Sequence, residues 1–143
     1  MATRSIIAIK INSTKVKFVY CHWDGYPQHN GKILLNHYND FLKINELIEH
    51  GGISSLGESV NAPSDVSHSF DKPVENVTVF YGRERGDKNS HHTEVKTVKA
   101  LDKFFEHWGT EWVYYYDYSK CKWFFKHYKS KEYKELTSKD CEE

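Results

Sequence analysis

The chain has no long apolar run, and nowhere does it accumulate the roughly 18–20 consecutive apolar residues that a bilayer-crossing helix needs. Net charge is missing too, because twenty Lys and Arg cancel twenty Asp and Glu. That balance argues against a general nucleic-acid coat protein and equally against an acidic DNA mimic. Paired cysteines are absent: Cys21, Cys121 and Cys141 are odd in number and have no CxxC spacing. The start, MATRSIIAIK, enters strand-like alternation directly and does not read as a secretory signal. Reduced thiols in a cytosol are therefore expected.

Catalytic signatures are lacking as well. There is no GxxxxGK[ST] phosphate loop, no GxGxxG, no HExxH and no GxSxG elbow. A Ser/His/Asp or Cys/His triad can be drawn on paper from nine histidines and three cysteines, but no nucleophile turn supports one. No cofactor is implied. What is abundant is aromatic surface: ten Tyr, eight Phe and four Trp make up 15% of the chain. Such rings suit strands, and they serve a core, a stacking pocket or a protein interface equally well.

Periodicity gives the organisation. Residues 5–11 alternate with Ile7, Ile9 and Ile11 on one face, and Val16, Phe18 and Tyr20 resume the pattern after a polar turn, as in a β-hairpin. Helices are predicted over 28–38 and from Phe41 to Ile48, the second with Asp40 as N-cap and Gly51 just beyond its end. Residues 52–73 read as a long loop, 74–81 as a strand and 82–94 as a second irregular segment. Val98 to Trp108 has helical spacing ended by Gly109, and an aromatic hairpin follows from Trp112 to Tyr128. The expectation is a single α+β domain over 1–129, with 130–143 a charged tail or short helix. Its order is ββααβαββ, with three helices packed on one face of a five-stranded, mainly antiparallel sheet.

Three segments concentrate chemistry. Cys21-His22-Trp23-Asp24-Gly25-Tyr26-Pro27 sets a thiol, an imidazole and a carboxylate around a tight strand-to-helix junction. On the plain reading Asp24 caps the helix, His22 bonds a backbone group, and Trp23 and Tyr26 pack inside. On the functional reading the same residues contact a ligand. As a metal site the segment is short of ligands, and His91, His92 or Glu94 would have to complete it, so no metal is assigned. The second segment, Tyr81-Gly82-Arg83-Glu84-Arg85-Gly86-Asp87, ends a strand with two arginines able to fork onto a phosphate or carboxylate beside a ring. Its plain reading pairs Arg83 and Arg85 with Glu84, Asp87 or neighbours in a solvated loop. In the third, lysines 120, 122, 126, 129, 131 and 134 interleave with aromatics. That is the composition of a single-stranded nucleic-acid surface, and equally of an edge strand guarded by lysines.

The residues Ala2 to Ile7, Tyr20 to Pro27, Gly31 to Leu35, Leu47-Ile48, Gly51 to Gly57 and Phe80 to Gly86 carry a resemblance. On them, the chain resembles a family of small proteins of tailed bacteriophages and prophages, over most of residues 2–86 and more loosely in the aromatic hairpin. The heptapeptide from Cys21 to Pro27 is its most specific part. The resemblance implies a phage product acting in an infected host cytoplasm and transfers no activity. The loop Glu58 to Lys72 and the lysine-rich end look particular to this chain.

From these readings comes an expected non-catalytic binder that counters host defence, capturing a nucleotide-like small molecule or a host defence protein. His22, Trp23, Asp24, Tyr26, Tyr81, Arg83 and Arg85 form its ligand-binding set. The competing expectations are a metal-dependent hydrolase or nuclease using His22 and Asp24, and a virion structural or morphogenetic component. No membrane partner and no general nucleic-acid binding are expected, and oligomeric state is left open, a homo-oligomer included.

Overall fold

The computed structural model describes residues 2–142. The first hairpin forms as expected, β1 (Ser5–Asn12) pairing antiparallel with β2 (Lys15–Cys21). A wide π-type turn, Pro27–Gly31, then leads into α1 (Lys32–His37), and α2 (Phe41–Glu49) follows. Asp40 caps α2 by accepting from the Lys43 amide at 2.9 Å. Gly51 ends it at φ 85°, where a side chain would collide with the Ser90 carbonyl.

The structure corrects the expected sheet in three respects. Among the described residues it has eight strands rather than five, in an order that runs from β4 (Val79–Phe80) through β3 (Ile53–Ser55), β2, β1, β6 (Trp112–Asp117) and β7 (Lys122–His127) to β8 (Lys134–Glu135), with β5 (Thr93–Val95) also pairing β2. The additional strands are short: β3 (Ile53–Ser55), β5 (Thr93–Val95) and β8 (Lys134–Glu135) arise in segments too brief and polar to show a period. Second, the central contact is parallel, since β1 runs alongside β6 (Trp112–Asp117) in register from Ser5 with Trp112 to Lys10 with Asp117. Third, helices cover both faces. Ile7, Ile9, Leu34, Ile44, Leu47, Tyr114 and Trp123 form one core beneath α1 and α2. Ile6, Ala8, Phe18 and Val113 form a second core, beneath α3 (Asp102–Trp108) and the 3₁₀ turn before it.

The reason lies in β1. Ile6, Ile7, Ala8 and Ile9 are all fully buried, and a continuous apolar run marks a strand covered on both faces rather than one. Each such isoleucine contributes about 1.5–3 kcal/mol of burial, so leaving either face bare would forfeit a large share of a small domain's stability.

Residues 130–143, expected as a charged tail or short helix, join the sheet and the first core where described. The strand β8 extends the sheet from β7 (Lys122–His127), and the turn Ser138–Cys141 brings Cys141 into the first core together with Leu136. The lysines of this end are matched: Lys122 pairs with Glu135, Lys126 with Asp102 and Lys134 with Asp140, while Lys120 and Lys134 lie over Phe124 and Phe125. Strand β7 is not the expected edge, however, since β8 pairs with it at Phe124 and Phe125. Among the described residues no helix is long and apolar enough to cross a membrane.

Between β2 and the π-type turn, the junction is stitched to its surroundings. Gly25 donates to the Thr3 carbonyl at 2.8 Å and accepts from the buried Tyr114 hydroxyl at 2.6 Å. A Cβ on Gly25 would lie 2.8 Å from that of Ser5. Buried Asn30 donates to the Trp23 carbonyl at 3.1 Å and reaches Ser5 Oγ and Cys21 Sγ, each at 3.4 Å. Replacing Tyr114 with Phe is expected to cost about 1–2 kcal/mol by removing a buried hydrogen bond. Urea denaturation with an unchanged m-value is the measurement that checks it.

Candidate functional site

The sheet register places the site. Cys21 pairs with Ile53 and Ile53 with Phe80, and all three side chains enter the first core. One row along, side chains point to the other face. There Tyr20 of β2 aligns with Gly52, just before β3, and with Tyr81, just after β4 (Val79–Phe80), and the Tyr81 amide donates to the Gly52 carbonyl at 3.1 Å. Glycine in the middle of this row lets the following loop come close, and Ser90 Oγ accepts from the Gly52 amide at 3.1 Å.

The result is a groove of about 500 Å³ lined by Tyr20, Gly52, Tyr81, Arg85, Asp87 to His91, and Trp108. Its volume lies within the usual range for small-molecule sites. Tyr20 stands edge-on to Trp108 at 6.0 Å, and its hydroxyl meets His22 Nδ1 at 2.7 Å. Burial, chiefly, and the nearby Arg4 charge push the His22 imidazole below its ordinary pKa. The lowered pKa keeps the His22 imidazole mainly neutral near pH 7, and burial raises the pKa of the Tyr20 phenol.

Across the groove, Arg85 lies over the Tyr81 ring at 4.5 Å and the Phe70 ring at 5.2 Å. Its guanidinium grips Asp87 through two hydrogen bonds, Nε to Oδ1 at 2.9 Å and Nη2 to Oδ2 at 2.7 Å. The bond to Arg85 holds the Asp87 carboxyl below its ordinary pKa.

The other arginine does something different. Arg83 donates to Glu84, to Asn61 Oδ1 and Val60 O at 2.8 Å each, and to Thr78 O at 3.2 Å, while lying over Phe80. Glu84 is only 3% exposed and also accepts from the Phe80 amide, with His68 beside it. Arg83 thus fastens the 57–61 segment to β4, and the two arginines do not converge on one anion. Each is paired as the plain reading had it, Arg83 with Glu84 and Arg85 with Asp87.

The junction residues divide in the same way. His22 joins the groove through Tyr20, whereas Trp23, Asp24 and Tyr26 do not line it. Trp23 and Tyr26 are 44% and 37% exposed, contrary to the plain reading that packs them inside. Asp24 is not a side-chain cap. At φ 58° it accepts from Asn30 N through its carbonyl and from the Tyr26 hydroxyl through its carboxylate. That left-handed turn keeps the flanking rings at the surface.

Cys21 is buried, and burial drives its thiol up to about 12, so it is no ready nucleophile at neutral pH. His91 faces the groove, while His92 sits between Glu49 and Glu94 at 3.7 and 3.5 Å. Among the described residues no three His, Cys, Asp or Glu side chains gather as metal ligands, so His22 and Asp24 gain no third partner there.

A larger cleft of about 1010 Å³ lies between α3 and residues 126–131. Its 5%-exposed Lys126 is already paired with Asp102 at 2.9 Å, and its remaining charges are of both signs, so it offers no defined recognition element. The smaller groove has one.

Sequence reasoning missed Tyr20, Gly52, Phe70, Asp87, Ser90 and Trp108 as partners of one site. Tyr20 carried a signal, sharing a strand face with His22, and so did Asp87, which the plain reading already set beside Arg85. Comparison with family models, curated proteins and solved structures gives no match to this chain.

Two outcomes follow from this geometry. Arg83→Ala is expected to destabilise the fold by about 3 kcal/mol, because it strands a buried carboxylate, and thermal or urea unfolding checks this. In an NMR titration His22 should show its midpoint below the ordinary imidazole value, since burial disfavours its charged form.

Proposed function

We propose that the protein is a non-catalytic binder that captures a small nucleotide-like anion in the Tyr20–Tyr81–Arg85 groove, in the phage setting implied by the family resemblance. Removing such a molecule from circulation would counter a host signal. One observation carries the reading: the Arg85 guanidinium lies over the Tyr81 and Phe70 rings while its fork grips a part-exposed carboxylate. A guanidinium oriented in this way matches a phosphate or carboxylate in two-toothed geometry. The neighbouring aromatic walls Tyr20, Tyr81 and Trp108 suit a planar ring. The raised Cys21 pKa and the engagement of His22 by Tyr20 support binding over nucleophilic chemistry.

Capture of a host protein is a second reading, favoured by the exposed neighbours Trp23 and Tyr26, since aromatic side chains dominate protein hot spots.

Calorimetry with adenosine 5′-monophosphate as probe tests the first reading. The wild-type protein is expected to bind it more tightly than adenosine, and Arg85→Gln is expected to weaken binding about tenfold or more with the fold intact. Equal affinity in Arg85→Gln, or no binding by the wild type, would count against it.

A further inference from the structure

The groove contains its own competing anion. Asp87 fills both teeth of the Arg85 fork, and the backbone is arranged to deliver it there. Gly86 adopts φ 84° and donates to the Gly82 carbonyl at 2.9 Å, and Asp87 N donates to the Tyr81 carbonyl at 3.1 Å. This tight loop folds residue 87 back over residue 85. A Cβ on Gly86 would meet nothing within 4 Å, so the turn lies open to solvent on that side.

Both partners are substantially exposed, and an exposed pair of this kind contributes little to stability. The pair is therefore easily exchanged, yet while it lasts it keeps the guanidinium aligned on the two rings.

We propose that Asp87 is a built-in gate: an incoming anion must displace its carboxylate from Arg85 before the guanidinium can fork onto it. This rests on the groove being the binding site. The displaced carboxylate stays tethered one residue from Gly86 and repels the bound anion, which lowers affinity for every anion and no less for a dianion than for a monoanion. The other charged or titratable groups facing the gate are Lys88, His91, Tyr20 and Tyr81. None of these is a carboxylate, so the opposition to an anion comes from Asp87 alone among the groove's lining residues.

The test compares adenosine 5′-monophosphate, a dianion at pH 7.5, with its 3′,5′-cyclic form, a monoanion, in calorimetry of the full chain. Asp87→Asn is expected to bind the monophosphate about fivefold to tenfold more tightly than wild type, and to gain no more than that for the cyclic probe. In the Arg85→Gln background the same substitution is expected to gain clearly less, because no ion pair is left to break. Asp87→Ser, with circular dichroism, guards against an effect peculiar to asparagine. If the wild type binds the monophosphate and both Asp87 variants bind it equally or less tightly, the gate is overturned while the groove stands. If neither wild type nor variants bind either probe, the groove reading falls and the gate with it.

Discussion

Burial of β1 on both faces is the constraint from which the rest of this structure follows. Ile6 and Ala8 need cover on one side, Ile7 and Ile9 on the other, and no arrangement with helices on a single face supplies both. Parallel pairing with β6 fills one edge of β1 and β2 fills the other. The outer edge of β2 is then divided, with β5 against its first half and β3 against its end. Because β5 reaches only Phe18, the stretch beyond it is left for Gly52 and the loop ending at Ser90, and there the groove opens.

The junction from Cys21 to Pro27 emerges with a mainly structural task. Its polar groups are spent on neighbours: Gly25 on Thr3 and Tyr114, Asp24 on Asn30 and Tyr26, and the Trp23 carbonyl on Asn30. Buried polar groups left unpaired are costly, so a segment that turns this sharply beside the core needs such a set of partners. Only His22 passes anything to the groove, by holding the Tyr20 hydroxyl. Division of labour between the arginines follows the same logic: Arg83 is surrounded by acceptors and fixes the chain, whereas Arg85 meets one exposed carboxylate and two ring faces.

How much of this was readable in the residues depends on range. The first hairpin, α2 with its Asp40 cap, and the aromatic hairpin from Trp112 onward are local patterns, and local periodicity is enough to read them. The run Ile6 to Ile9 also held the two-face signal, but alternation with Ile7, Ile9 and Ile11 is a simpler pattern and masks it. The strands β3, β5 and β8 span two or three residues each and exist because of distant partners, which no local pattern encodes. Likewise, Tyr81 and Arg85 could be marked as chemistry-bearing, but their junction with Tyr20 depends on a register shared by three strands far apart in sequence. Arg83 and Arg85 looked equivalent because spacing by one residue says nothing about which carboxylate each will find.

Amide chemical-shift mapping with adenosine 5′-monophosphate tests the central claim most directly, because it locates binding rather than only detecting it. The account predicts perturbations concentrated at Tyr20, Gly52, Tyr81 and the segment from Arg85 to His91, with little change between Lys126 and Lys131. Perturbations centred on the cleft beside Asp102 and Lys126, with the Tyr20–Arg85 groove silent, would contradict it.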